Sequence, residues 1–237
     1  MDLLTVATST YVRDHGADVA VLPVGSFEQH GSHLPLITDT AVACIIAQAI
    51  GEAYSLFVLP PITISCSHEH ASFAGTVSIT AATLTAVIDD IRASLDAQSI
   101  ERLILVSGHG GNYVLSNIAQ QANVAGPRVL VFPTGSDWDK ARRAAGFATS
   151  AHDDMHGGEG ETSILLRYQP DYVGPDWEDA DHQADDRPDL LLLGMSGYTK
   201  TGIIGRPSLA SPAKGEALVN ALVKGIDPHL RLLRGTG

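Results

Sequence analysis

Short apolar runs that end in glycine turns, each followed by a helical pattern, constrain this chain more than any other feature. Residues 18–23 and 103–107 read as buried strands, and Gly25 and Gly108 come directly after them. A strand covered on both faces is apolar along its whole length, as parallel sheets require. Helical spacing marks 40–54 and 81–95, the latter with Leu84, Val87, Ile88, Ile91 and Leu95 on one stripe. Further strands are expected at 56–59 and 128–132, and further helices at 112–123, 161–168 and 215–233. This alternation predicts an α/β fold with a mostly parallel sheet covered by helices on both faces. Ligands gather beyond the carboxyl ends of such strands, so both glycine turns are expected on the same rim. The stretch 170–205 breaks the pattern. It is read as long irregular connections that form a lid or an oligomer contact.

With 237 residues the chain can bury a sizeable core, and it is read as one domain over 1–237. Its formal charge of −12 argues against a nucleic-acid partner and against an anionic membrane surface. No apolar run approaches the roughly 20 residues of a membrane span. The start, Met-Asp-Leu-Leu-Thr, shows no secretory pattern. Two cysteines suit a reducing compartment, taken as the cytoplasm, and Cys44 falls in an apolar helical pattern as a core residue.

Chemistry concentrates in four stretches. After the first strand come Glu28 and His30, two residues apart, and then Asp39 at the opening of the next helix. In extended chain, residues i and i+2 point the same way. Carboxylate and imidazole are ligands of hydrolytic divalent metals, so a metal-dependent hydrolase is the leading reading. The second stretch, Ser-Gly-His-Gly-Gly-Asn, places His109 just past a strand end; a glycine-rich phosphate loop or a plain turn would look the same. In the third, His156 and a glycine pair precede Glu159 and Glu161. Acidic residues at a helix start are explained by the helix dipole alone, but His156 and the glycines are not. The fourth, around Ser67, Glu69 and His70, carries a His-x-His pair and is read as a substrate wall rather than a metal shell.

Together, Pro-Val-Gly-Ser-Phe-Glu-Gln-His-Gly, Leu-Pro-Leu-Ile-Thr-Asp, Gly-His-Gly-Gly-Asn and His-Gly-Gly-Glu-Gly-Glu-Thr-Ser resemble the creatininase family, in its order, across residues 20–168. The segment Phe-Ala-Gly-Thr-Val-Ser-Ile fits as well. The resemblance implies a three-layer α/β/α domain, two divalent ions (Zn, Mn or Fe), and a homo-oligomer, commonly a ring of six. It puts the Glu-x-His pair on Glu28 and His30, a bridging aspartate on Asp39 and a histidine on His109. Creatininase has a glutamate two residues after that histidine; here the position is Gly111, and Glu161 is expected to supply the missing carboxylate, with Glu159 as the fallback. Where creatininase carries Glu-His-Gly-Gly, this chain has Met155 before His156. Trp138 and Asp153 are expected beside the substrate.

The implied reaction is hydrolysis of a C–N bond in a small, even cyclic, amide by a metal-bridged hydroxide. His156 would act as general acid or orient the substrate, and Glu161 would complete the catalytic set. One alternative is a peptidase that trims a short precursor, as in the mycofactocin branch that the Phe-Ala-Gly-Thr segment resembles. A formamide deformylase is another. A nucleotide-binding module is the non-enzyme alternative.

Overall fold

In the computed structural model, which describes residues 3–236, apolar strands and amphipathic helices alternate as expected. The first half runs α1 (Ser9–His15), β1 (Val19–Val24), α2 (Thr38–Tyr54), β2 (Phe57–Val58), α3 (Ala81–Asp96) and β3 (Arg102–Ser107). It continues with α4 (Val114–Ala122), β4 (Val129–Phe132), α5 (Gly135–Ala144) and α6 (Glu159–Tyr168). Then come a four-residue α7 (Leu190–Leu193), α8 (Pro212–Gly225) and α9 (Asp227–Arg234). The four strands form one parallel sheet in the order β2-β1-β3-β4.

Side chains alternate across this sheet with the period of two that a pleated strand imposes. Val19, Val21, Ile104 and Val106 pack with α2, α6 and α8, whereas Ala20, Leu22, Val24, Leu103 and Leu105 pack with α3 and α4. This makes the three layers expected. On α3, Leu84, Ile88 and Leu95 are buried, but Val87 is 39% exposed because it sits at the edge of the stripe. Both cysteines are free; Cys44 is fully buried in the core, and burial pushes its thiol up to about 12.

Three differences from the sequence reading have physical causes. The helix expected over 215–233 is two, α8 and α9, meeting at Ile226. Pro228 has no N–H to give the carbonyl four residues back, and its ring crowds that carbonyl. Helix α5 was not anticipated, since its few apolar residues leave no stripe; its start is instead set by a capping box in which Thr134 and Asp137 bond each other's backbone. The irregular stretch after α6 holds short turns and is pinned rather than free. His156 N–H donates to Ile204 O at 2.9 Å and Ile204 N–H returns to His156 O at 3.0 Å, so this stretch straps directly across His156. It also exposes Leu191, Leu192 and Leu193. Among the described residues no helix is long and apolar enough to cross a membrane.

Candidate metal centre and its cavity

Registration of the two central strands builds the site. β1 pairs with β3 along its whole length, Val24 opposite Ser107, so both end at one level. The turns that follow lie side by side, with Gly108 N–H on Val24 O at 3.0 Å. Both turns press on the first turn of α2. A Cβ on Gly25 would lie 2.4 Å from Thr40 Cα, and one on Gly108 would lie 2.1 Å from Asp39 O. Only glycine allows this approach, and it carries Asp39 in between the residues leaving β1 and β3. The N-terminal position on α2 also favours a carboxylate.

Glu28, His30, Asp39, His109, His156 and Glu161 meet in one cluster. Asp39 Oδ1 is 3.0 Å from His30 Nε2, and Asp39 Oδ2 is 3.2 Å from His109 Nδ1. Glu161 Oε1 stands 3.7 Å from His30 Nε2, and its other oxygen accepts Gly157 N–H at 2.6 Å. Ser26 Oγ lies between Glu28 Oε2 (2.6 Å) and Asp39 Oδ2 (2.8 Å). Glu28 Oε1 is buried with no hydrogen-bond partner, although nitrogens of His70, His109 and His156 approach it at 3.2, 3.2 and 3.6 Å.

Three outer contacts decide what this cluster needs. His30 Nδ1 is 3.1 Å from Glu28 O, His109 Nε2 is 2.9 Å from Cys66 O, and His156 Nε2 is 2.6 Å from Gln29 O. A carbonyl only accepts, so each of these nitrogens carries hydrogen. In the neutral ring, the other nitrogen then aims a lone pair at carboxylate oxygens. Lone pairs facing at such distances call for a cation between them, a proton or a metal ion, and backbone-locked imidazoles are the usual support of metal ligands. Three overlapping donor sets are close enough to hold an ion: Glu28, Asp39 and His109; His30, Asp39 and Glu161; and Glu28, His30 and His156. The residues present therefore fit divalent metal.

Charge states follow from the same contacts. Burial opposes a charge on His30, but Asp39 and Glu161 outweigh it and hold its imidazolium well above the ordinary value. His109 is held well above likewise, by Glu28 and Asp39 against burial. Asp39 is driven well below the carboxylate range, burial being outweighed by His30 and His109. Burial raises Glu28 and Glu161. His70 falls to about 3 and His156 falls well below its ordinary value, both through burial first and neighbouring imidazoles second.

A sign test follows for the metal-free protein. The raised histidines add stability that is complete below the unfolded value of about 6.5 and is lost as pH rises through their folded values. Metal binding needs the same rings deprotonated, so its contribution grows with pH. Thermal unfolding of chelated and metal-loaded protein should diverge between roughly pH 6 and pH 8, with about two protons released on loading at neutral pH. Calorimetry in buffers of different ionisation enthalpy reads that release; parallel pH profiles would contradict the reading.

Known proteins resemble this chain over most of its length. Residues 6–228 match the family model described as creatininase, creatinine amidohydrolase. The chain belongs to the creatininase family. It is 33% identical over 237 residues to the mycofactocin precursor peptide peptidase of Mycolicibacterium smegmatis, covering 95% of this chain and 90% of that one. Identity to the creatinine amidohydrolase of Pseudomonas putida is 29%, covering 91% and 90%. A solved structure of creatinine amidohydrolase superposes with a TM-score of 0.79 at 26% identity, covering 95% of each chain. Creatininase structures include a manganese form and a Zn-Zn form. A creatininase-family chain with such relatives is a hydrolase of C–N bonds, which displaces the nucleotide-module alternative.

Against that family background, the remaining sequence candidates separate by what their side chains touch. Glu161 joins the cluster, but Glu159 turns away, its oxygens held by Thr149 Oγ1 at 2.7 Å and by Lys214 Nζ. Asp153 accepts from Ser150 Oγ at 2.8 Å and does not line the cavity beside the cluster. Its neighbour Asp154 does; it accepts from Glu159 N, Gly160 N, Arg206 N and Arg142 Nη2 at 2.6–3.0 Å, so it ties down the start of α6. Sequence reading missed this residue because Asp153 and Asp154 look alike in a polar loop. Gln29 was missed too: its Nε2 lies 3.0 Å from Gly202 O, 2.9 Å from His70 Nδ1 and 3.2 Å from His156 Nε2. His70 is buried against Glu28, whereas Ser67 Oγ is buried without a partner. Glu69 stands behind His109, with Oε1 3.5 Å from Nε2. A Cβ on Gly111 would fall 2.0 Å from that same oxygen, so the missing side chain at 111 leaves the room that Glu69 fills.

Trp138 lines a cavity of about 440 Å³ that also reaches His109, Met155 and Glu161. A larger groove of about 710 Å³, between residues 4–11 and β2, holds none of the clustered carboxylates or imidazoles. Chemistry rather than size therefore marks the site.

Proposed function

We propose that this protein hydrolyses an amide bond in a short peptide or a similar small acyl-amide, using two divalent ions. Glu28, Asp39 and His109 would hold one ion; His30, Asp39 and Glu161 would hold the other, with Asp39 shared. The mixed nitrogen and oxygen donors suit Zn, Mn or Fe. The observation that carries the reading is the set of backbone-locked imidazoles aimed at buried carboxylate oxygens. Bound there, divalent ions lower the pKa of a water and polarise a substrate carbonyl.

The chain's own residues supply the rest. His156 enters neutral, with Nε2–H held by Gln29 O and Nδ1 facing Glu28, so it can take a proton at Nδ1 and hand it to the leaving nitrogen. Glu161 is oriented by Gly157 N–H and stays fixed on its helix. The strap at Ile204 covers the backbone of His156 and limits water from that side. Met155 lines the cavity, its Sδ accepting from Arg187 Nε at 3.2 Å, where the creatininase pattern has a carboxylate, and this departure supports the peptide reading. Trp138 in the same wall supports the cyclic-amide reading, so both substrates belong in the test.

Metal-loaded protein should be screened against short peptides, creatinine and formamides, following the released amine. Peptide cleavage lost on chelation and restored by metal is the expected result. Creatinine as the best substrate would reverse the substrate choice, and hydrolysis unaffected by chelation would overturn the metal reading. His156→Ala should keep both ions, since two donor sets are complete without it. Its turnover should fall by about 10²–10⁴-fold. Loss of metal in that variant, measured by elemental analysis, would make His156 a ligand instead. We also read the protein as a homo-oligomer, because Leu191, Leu192 and Leu193 stand 76, 82 and 53% exposed in a row; sedimentation tests it, and a monomer would refute it.

A further inference from the structure

The cavity beside the metal centre has a second polar end, built from Arg142. This side chain is 5% exposed, yet it lines the cavity. Its Nε donates to Thr149 O at 3.1 Å, and Nη2 donates to Thr149 Oγ1 at 2.6 Å and Asp154 Oδ2 at 2.7 Å. Nη1 has no hydrogen-bond partner among the described residues. Nη1 is not among the atoms sealed from solvent, so of this guanidinium it is the nitrogen left for a ligand.

The space in front of Nη1 is open because of Gly160. An added Cβ there would fall 2.5 Å from Nη1, and Gly160 lines the same cavity. The carboxylates on the cavity wall are Glu161, at the metal end, and Asp154, whose oxygens are already engaged. The cavity wall also includes the start of α4, a helix with neither a side-chain cap nor an acid in its first turn, although Leu115 and Ser116 N–H already donate to Asn112 O and Tyr113 O. Such a helix end attracts negative charge. Arg142 Nη1, an unpartnered donor on a side chain only 5% exposed, is the independent observation that turns this from a helix end into a site.

We propose that Arg142 Nη1 and the start of α4 bind a carboxylate of the substrate, so that the scissile amide at the metal end lies a short chain away from a free acid. This rests on the hydrolase reading for its consequence but not for its test. With Nε and Nη2 engaged, Nη1 alone is left, and its charge-assisted N–H bonds to a carboxylate are stronger than those to a neutral carbonyl. The substrate class this selects is a short peptide or acyl-amino acid whose leaving part carries its terminal carboxylate.

The probes are N-acetyl-alanyl-alanine and its C-terminal amide, equal in shape and different in charge. Binding to the metal-loaded protein is measured by calorimetry, in wild type and in Gly160→Ala. Gly160 lies inside α6, where alanine is a good helix former, so the variant should fold. The acid should bind wild type at least about tenfold more tightly than the amide, and the preference should shrink to within about twofold in Gly160→Ala. Equal binding of acid and amide to wild type overturns the proposal. So does a preference that survives in Gly160→Ala, which would place the carboxylate on the metals instead. Because binding is read directly, a protein that binds the acid at Arg142 but cleaves no peptide would keep this site and lose only the peptide reading.

Discussion

Asp39→Ala is expected to lose both bound ions and at least about 10³-fold in turnover, some 4 kcal/mol of transition-state stabilisation. Asp39 is the one side chain present in both ion sets that exclude His156, so no remaining group can hold the two positions together. The metal-free variant should also be weaker by about 3 kcal/mol at neutral pH, because His30 and His109 lose the carboxylate that balances them. The sign is checkable. Asp39 has a depressed folded value, so its contribution is present above the unfolded value of about 3.9 and disappears only as pH falls through the folded one. Elemental analysis, turnover and denaturant unfolding read the three effects. A variant that kept two ions and a tenth of its activity would remove Asp39 from the shared position.

Asp154→Ala is expected to cost about 4 kcal/mol, although its carboxylate reaches no group proposed to hold an ion. It would strand the buried Arg142 guanidinium and three backbone N–H groups at once. Since two of those belong to the first turn of α6, Glu161 should lose its fixed position, and metal at the His30 side should weaken before metal at the His109 side. Denaturant unfolding with a chelator titration measures both effects. A loss under about 1 kcal/mol, with both ions bound as before, would mean that α6 holds its start without this residue.

Much of the fold was legible because its signals are local. The buried face pattern of β1 and β3 follows from apolar runs, and the turn glycines follow from the close approach of Gly25 and Gly108 to α2. Glu28, His30, Asp39 and His109 all sit within a few residues of a strand end or helix start, so their gathering at one rim follows from a parallel sheet. The helix break at Ile226 was legible in hindsight from Pro228, whereas α5 lacked the apolar stripe by which helices are recognised.

Adjacent and near-adjacent acids were not separable in the same way. Glu159 and Glu161 are two positions apart on a helix, about 200° around its axis, so at most one faces the cluster. Both suit a helix start equally well, and nothing local says which way the helix is turned. The packing of α6 against α8 decides it, handing Glu159 to Lys214 and leaving Glu161 for His30. Asp153 and Asp154 pose the same problem in a loop without periodicity, and only Arg142, arriving from α5, picks out the inner one.

Residue types and their spacing were enough to indicate the α/β/α layering, the donor residues that could hold metal and the hydrolase class, because strand ends, glycine turns and helix starts are written in consecutive residues. Which carboxylate faces inward, the seating of Glu69 over Gly111 and the open edge of Arg142 depend on contacts between segments far apart in the chain. Those contacts arise from how helices rotate and pack, and a linear pattern carries no record of that rotation.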